Sequence, residues 1–168
     1  MINSKMGKFR EVQQFGQWWL KLLVWAGAVG MLIRFCIDLR ENPNPGLASI
    51  ISLVVIFMVT LWFQYMSLIS EIDEKEIRAR FTLMPFGKKV IPWSDVKSWE
   101  IRNYNGLLEY GGWGNRYSVR IGRAFTTSGN QGLQLELESG KSFLLGTHEE
   151  SKLTTFLEQS ENIMSIRK

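Results

Sequence analysis

The hydrophobic period of the chain changes once along its length. Between Trp18 and Ile69 the residues are almost wholly apolar, interrupted only by Lys21, Arg34 and the polar link DLRENPNPG, whereas from Ser70 onward apolar and polar residues alternate. The first regime predicts helices. The segment from Gly46 to Ile69, GLASIISLVVIFMVTLWFQYMSLI, carries no charge and exceeds the roughly 20 residues that a helix needs to cross a bilayer. The segment from Trp18 to Ile37 has Lys21 and Arg34 near its ends, where long basic side chains reach the headgroups at modest cost. Its Ala26-Gly27-Ala28 stretch offers a competing reading as a signal-peptide cleavage site. The apolar run continues through VGMLIRF and a second span follows at once, which favours a two-helix hairpin turned by Pro43 and Pro45.

The second regime predicts strands. In EIRARFTLM, Ile77, Ala79, Phe81 and Leu83 alternate with Arg78, Arg80 and Thr82, the period of a half-buried strand. KKVIPW is a short strand reached through the turn MPFG, and VKSWEIRNY places Trp99 and Ile101 on one face. RYSVRIG alternates Tyr117, Val119 and Ile121 with Arg116, Ser118 and Arg120, and GLQLELE directs Leu133, Leu135 and Leu137 inward before the hairpin turn ESGK. THEESKLTTFLEQ carries a capping box, Thr147 followed by Glu150, and then Leu153, Phe156, Leu157 and Met164 near one helical face. The expected fold is therefore a membrane helical hairpin plus a mainly-β domain, an antiparallel curved sheet or barrel closed by a C-terminal helix. The divisions expected are an N-terminal arm over 1–17, the hairpin over 18–69 and the β domain over 70–168.

Charge sets the orientation. Lys5, Lys8 and Arg10 precede the first span, and Lys75, Arg78, Arg80, Lys88 and Lys89 follow the second, whereas the link has Arg40 beside Asp38 and Glu41. The excess of Lys and Arg at both ends predicts that both termini are cytoplasmic. The net charge of +4 over 168 residues favours anionic headgroups over nucleic acid, since juxtamembrane basic residues contribute about 1 kcal/mol each near such a surface. One cysteine, Cys36, excludes an intramolecular disulfide and any multi-cysteine metal site held by this chain alone.

The order of a two-span hairpin, strands and a closing helix resembles bacterial membrane proteins with a pleckstrin-homology-like domain. RFTLMPFGKKVIPWSDV, IRNY, EYGGWGNR, GRAFTTSGNQGLQLELESGK and LLGTHEE look like one uncharacterised branch of them, over most of residues 70–157. The resemblance implies a fold and a tether to the bacterial inner membrane, with no catalytic residue to carry over. Two features depart from the eukaryotic pattern: the C-terminal helix EESKLTTFLEQSENI has no tryptophan, and Arg78, Arg80, Lys88 and Lys89 match the phosphoinositide motif in charge only.

YGGWGNR is the most unusual stretch. It lacks the Lys-Ser/Thr of a phosphate loop and is followed by alternation instead of a helix. It reads as a long hairpin loop in which glycines supply positive φ, with Trp113 either packed on the sheet or presented beside Arg116. His148, the single histidine, stands next to Glu149 and Glu150 as a solvated helix-start residue, and Glu136 and Glu138 alternate with leucines as a solvated face. No catalytic residue, metal or cofactor is expected. The candidate contacts for a partner or headgroup are Trp113, Arg116, Arg78, Arg80, Lys88, Lys89 and Arg120, with Arg123 in a neighbouring turn. The function expected is a membrane-anchored, non-enzymatic binding module or scaffold for a protein partner, its own copies or anionic lipid. The alternative is an accessory subunit of a transport or envelope-stress assembly acting through its hairpin, where Ala26, Gly27 and Gly30 permit close helix approach. An enzyme acting on a phosphorylated or lipid substrate through the arginines ranks behind both.

Overall fold

Phe9–Gln14, expected as part of a basic arm, is a strand (β1) that pairs antiparallel with Ser67–Ile72 (β2), the strand following the second long helix. The structure is a computed structural model that describes residues 7–41, 44 and 46–164, with side chains through Gln159. Lys5, Pro43, Pro45 and the Met164 side chain lie outside the described residues. The expected division is therefore corrected at both junctions. One unit is Gly16–Met66, and the other joins the chain up to Phe15 to the chain from Ser67 onward. The physical reason lies in which residues face inward. FREVQQ buries Phe9, Glu11 and Gln13, so two of its three inward positions are polar and the alternation is disguised. SLISEI buries residues of both parities, so it reads as a continuation of the helix before it.

The helical unit contains α1 (Trp18–Glu41) and α2 (Leu47–Tyr65), both long and apolar enough to cross a membrane. Three polar side chains on these helices find partners one turn away. Arg34 pairs with Asp38 one turn on at 3.0 Å, and the Ser52 and Thr60 hydroxyls donate to the carbonyls of Ala48 and Ile56 at 2.8 and 2.7 Å. A Cβ added at Gly27 or Gly30 would have no neighbour within 4 Å, so these glycines do not mediate the packing of α1 on α2.

The second unit is mainly β, with two sheets. The first has the order β1-β2-β3-β4, with β3 at Glu76–Phe81 and β4 at Lys88–Pro92, all antiparallel. The remaining strands are β5 (Val96–Asn103), β6 (Gly114–Ser118), β7 (Gly122–Thr126), β8 (Gln131–Leu137) and β9 (Ser142–Gly146). They form a second sheet in the order β5-β8-β9-β7-β6. The expectation of an antiparallel sheet is corrected here, because β7 and β9 run parallel. A five-residue helix, α3 (Gly106–Tyr110), separates β5 from β6, which occupy opposite edges of the sheet.

Aromatic rings join the two sheets. Phe81 of β3 meets Phe125 of β7 at 5.3 Å between centroids, and Phe125 meets Phe143 of β9 at 5.3 Å. Inward alternation supplies Ile77, Ala79, Leu133 and Leu135 to the same interior. A bulge between Val96 and Ser98 shifts the register of β5, which is why Val96 and Trp99, three apart, are both buried. The closing helix is α4 (Glu150–Met164), with Leu153 and Leu157 buried and Phe156 at 6.1 Å from the Phe9 ring.

The start of α4 is held by a distant carboxylate. Thr147 Oγ1 accepts from the Glu149 amide at 3.1 Å, and it donates to Glu11 Oε2 of β1 at 2.7 Å. Glu11 Oε1 accepts from the His148 amide at 2.7 Å. The expected reciprocal bond from Glu150 to the Thr147 amide is not formed, because that amide donates to the Gln131 carbonyl at 2.9 Å. Two residues along β1, Gln13 donates to the Gly146 carbonyl at 2.7 Å and accepts from Thr127 Oγ1 at 2.9 Å. β1 thus ties the first sheet to the end of the second through buried polar contacts.

Candidate basic groove

The glycine-tryptophan stretch is not a hairpin tip. Gly111, with φ of 69°, caps α3, and Gly112 and Gly114 at 131° and 104° turn the chain into β6. Only glycine accommodates these conformations without strain. α3 is itself fixed at its start, where Asn105 Oδ1 accepts from the Leu107 and Leu108 amides at 3.1 Å each. Glu109 bonds the Asn105 amide at 2.7 Å and pairs with Arg102 at 2.8 Å. Burial works to raise the Glu109 carboxyl, and the Arg102 guanidinium with the Asn105 amide outweighs it, leaving the group below the ordinary glutamate range. Beneath this turn, burial pushes the Tyr104 phenol up to about 12.

Trp113 faces inward. It is half-buried, and a Cβ at Gly106 would lie 3.0 Å from its indole nitrogen. The ring therefore packs on α3 and is not presented as a contact surface. Its backbone does something else: the Trp113 carbonyl accepts from Arg116 Nε at 3.0 Å. The same guanidinium passes over Gly112, where a Cβ would sit 3.5 Å from Nη2. The turn positions an arginine.

RYSVRIG is also reassigned. It is not one strand but the end of β6, a tight turn and the first residue of β7, with Ser118 opposite Gly122. The turn leaves Tyr117 and Val119 outside the core, 73% and 91% exposed. Gly122 makes this path possible: its φ is 95°, and a Cβ there would approach the Ser142 carbonyl oxygen to 2.2 Å.

This turn is one wall of a groove of about 550 Å³, whose lining includes Lys89, Arg116, Arg120, Arg123 and Lys141 and, among the described residues, no carboxylate. The strand arrangement explains the convergence. β6 carries Arg116, β7 carries Arg123 and the turn between them carries Arg120, and β9, parallel to β7, brings Lys141, the residue before its first, alongside them. Two of the arginines are anchored through their Nε atoms, Arg116 on Trp113 and Arg123 on Asn115 Oδ1 at 2.9 Å. Arg123 also lies over the Phe125 ring at 5.4 Å. Among the described residues none of the five cations forms an ion pair. Lys141 additionally borders a smaller depression with Lys97, Glu136 and Glu138.

The other expected contact residues lie elsewhere. Lys88 opposes Arg80 and Lys89 opposes Ala79, so neighbouring lysines of β4 take opposite faces of their sheet. Lys88, Arg80 and Arg78 line a shallow depression of about 190 Å³ together with Glu71. There carboxylates accompany the cations. Arg78 pairs with Glu76 and with Asp73, the latter at 3.5 Å, and Glu71 pairs with Lys8 at 2.9 Å and Arg10 at 3.5 Å. The Lys8 ammonium holds the Glu71 carboxyl below its ordinary range.

The sequence therefore named three of the five groove cations as contacts, Lys89, Arg116 and Arg120. Its pattern puts Arg123 in a turn outside the contact set and makes Lys141 the last residue of the turn ESGK. Nothing local in the sequence connects Lys141 to residues 116–123, because the connection is the parallel pairing of β7 with β9.

His148 contacts Ser128 through Nε2, 3.0 Å from its hydroxyl and 3.1 Å from its carbonyl oxygen. The nearby carboxylate, Glu11, bonds the His148 backbone and not the ring, so the carboxylate of a nucleophilic triad is not in place. Among the described residues no group of three His, Cys, Asp or Glu side chains is placed to hold a metal ion. In comparisons with known proteins, no family model and no curated protein matches the chain.

Proposed function

We propose that the chain is a membrane-anchored, non-enzymatic binding module, in which a hairpin of two spans holds a pleckstrin-homology-like β unit at the inner face of a bacterial membrane and the basic groove receives an anionic group there. The observation that carries this reading is the convergence of Lys89, Arg116, Arg120, Arg123 and Lys141 on one groove whose lining, among the described residues, has no carboxylate. Uncompensated like charges in one concavity attract and concentrate an anion. The tether is supported by the outward-facing apolar side chains of α1 and α2, an apolar surface that a soluble monomer does not maintain. Chain connectivity supports termini on one side. β1 runs within a few residues into α1, α2 runs into β2, and β1 pairs with β2, so the first crossing begins, and the second ends, at the same unit. The Lys and Arg flanking the spans support a cytoplasmic placement of that side.

Site-specific photocrosslinking in native membranes tests the reading. A photoreactive residue at Val119, on the groove rim, gives an adduct with lipid or a partner that is lost in the Arg120→Glu, Lys141→Glu variant. Adducts formed from Val29 in the helical hairpin but not from position 119 would instead establish the accessory-subunit alternative.

A further inference from the structure

We infer that the groove is a site for a phosphate monoester, a single phosphorus centre carrying two negative charges, borne on a larger molecule. The inference rests on the reading of the groove as an anion site and names its ligand chemistry.

Charge density is the first argument. Among the described residues five cations and no carboxylate line one concavity, and a dianion concentrated on one tetrahedral centre gains from several at once, whereas a carboxylate or phosphodiester offers half that charge. Pre-orientation is the second. The Arg116 and Arg123 Nε atoms are already bound, to the Trp113 carbonyl and to Asn115 Oδ1. Both guanidinium planes are thereby fixed with their Nη groups left for an incoming oxyanion, and fixed forks suit bidentate phosphate recognition. Lys89 and Lys141 add point charges on other walls. Size is the third argument. At about 550 Å³ the groove falls in the range of sites for whole small molecules, far larger than a bare phosphate. Its rim carries Tyr117 and Val119, both strongly exposed, which gives the remainder of the ligand an apolar and aromatic surface.

Two sources present this chemistry, a lipid headgroup and a soluble phosphorylated compound. The experiment uses the full chain, in phosphatidylcholine nanodiscs for the soluble ligands and in mixed micelles for the lipids. In one arm, glycerol 3-phosphate, a monoester, and glycerophosphoglycerol, a diester, are titrated calorimetrically. In the other, retention of phosphatidic acid is compared with that of phosphatidylglycerol during purification from mixed micelles. The monoester is expected to bind about tenfold or more tightly than the diester in at least one arm, and the Arg120→Ala, Lys141→Ala variant to lose about tenfold of that affinity. Lys152→Ala, on the exposed face of α4, leaves it unchanged. Selectivity in the lipid arm alone assigns the source to the membrane, and selectivity in the soluble arm alone assigns it to a free ligand. Equal affinity for monoester and diester, lost in the double variant, would overturn the monoester assignment and leave the anion site standing. No anion binding in either arm, or binding indifferent to the double variant, would overturn both.

Discussion

Replacing Glu11 tests whether the strand before the first long helix clamps the last helix of the chain. Glu11 is buried on β1 and accepts from Thr147 Oγ1 and the His148 amide, both at 2.7 Å. Glu11→Ala removes two hydrogen bonds to a charged acceptor and leaves the buried Thr147 hydroxyl with a lost partner, a local cost of about 3 kcal/mol. Glu11→Gln keeps an acceptor oxygen for one donor and costs about 1.5 kcal/mol. The assay is amide hydrogen exchange by mass spectrometry on the full chain in nanodiscs, read over the α4 start. A loss of 3 kcal/mol in local opening corresponds to about a hundredfold faster exchange where opening governs the rate. The gradation matters as much as the size. Alanine should exceed glutamine, and amides of the β6–β7 turn should exchange as in the parent. Unchanged protection at residues 148–153 in Glu11→Ala would refute the clamp, and equal acceleration throughout the β unit would show a general loss of stability in its place.

Gly122→Ala combines a left-handed backbone with a Cβ 2.2 Å from the Ser142 carbonyl oxygen, so we expect a loss of about 3 kcal/mol or more in thermal or denaturant unfolding. Gly111→Ala, at φ of 69° with nothing near its Cβ, should cost only about 1–2 kcal/mol. The Arg102–Glu109 pair contributes a pH dependence. Its carboxyl is depressed in the folded state, so its stabilisation is present above the ordinary glutamate value of 4.5 and is lost as pH falls through the lower folded value. The parent protein should lose about 1 kcal/mol more than Glu109→Gln across that acid window, as read by unfolding at pH 6 and below pH 4.

How far the sequence revealed this molecule depended on whether its inward residues were apolar. EIRARF announced β3 because Ile77, Ala79 and Phe81 all face the interior. FREVQQ concealed β1 because Glu11 and Gln13 take inward positions and are satisfied by residues more than a hundred positions away. The uniform run ending in MSLI hid the junction at Ser67, since both faces of β2 are covered. RYSVRIG satisfied the alternation rule and is nonetheless a hairpin, because Gly122 turns beneath Ser142 of another strand. The basic residues were visible as a set, but their division was not. Adjacent Lys88 and Lys89 part by strand parity, and Lys141 joins Arg116, Arg120 and Arg123 through a parallel strand pair that no local pattern encodes.

The measurement that bears most directly on the central claim compares charge reversal at the two basic regions. The full chain is purified from micelles of phosphatidylcholine and anionic phosphatidylglycerol with phosphatidic acid, and the retained lipid is quantified. Arg120→Glu with Lys141→Glu should abolish the enrichment of anionic lipid, while Arg78→Glu with Arg80→Glu, on the face where Glu71, Glu76 and Asp73 accompany the cations, should leave most of it. The reverse order, or equal effects from the two pairs, would contradict the assignment of binding to the groove.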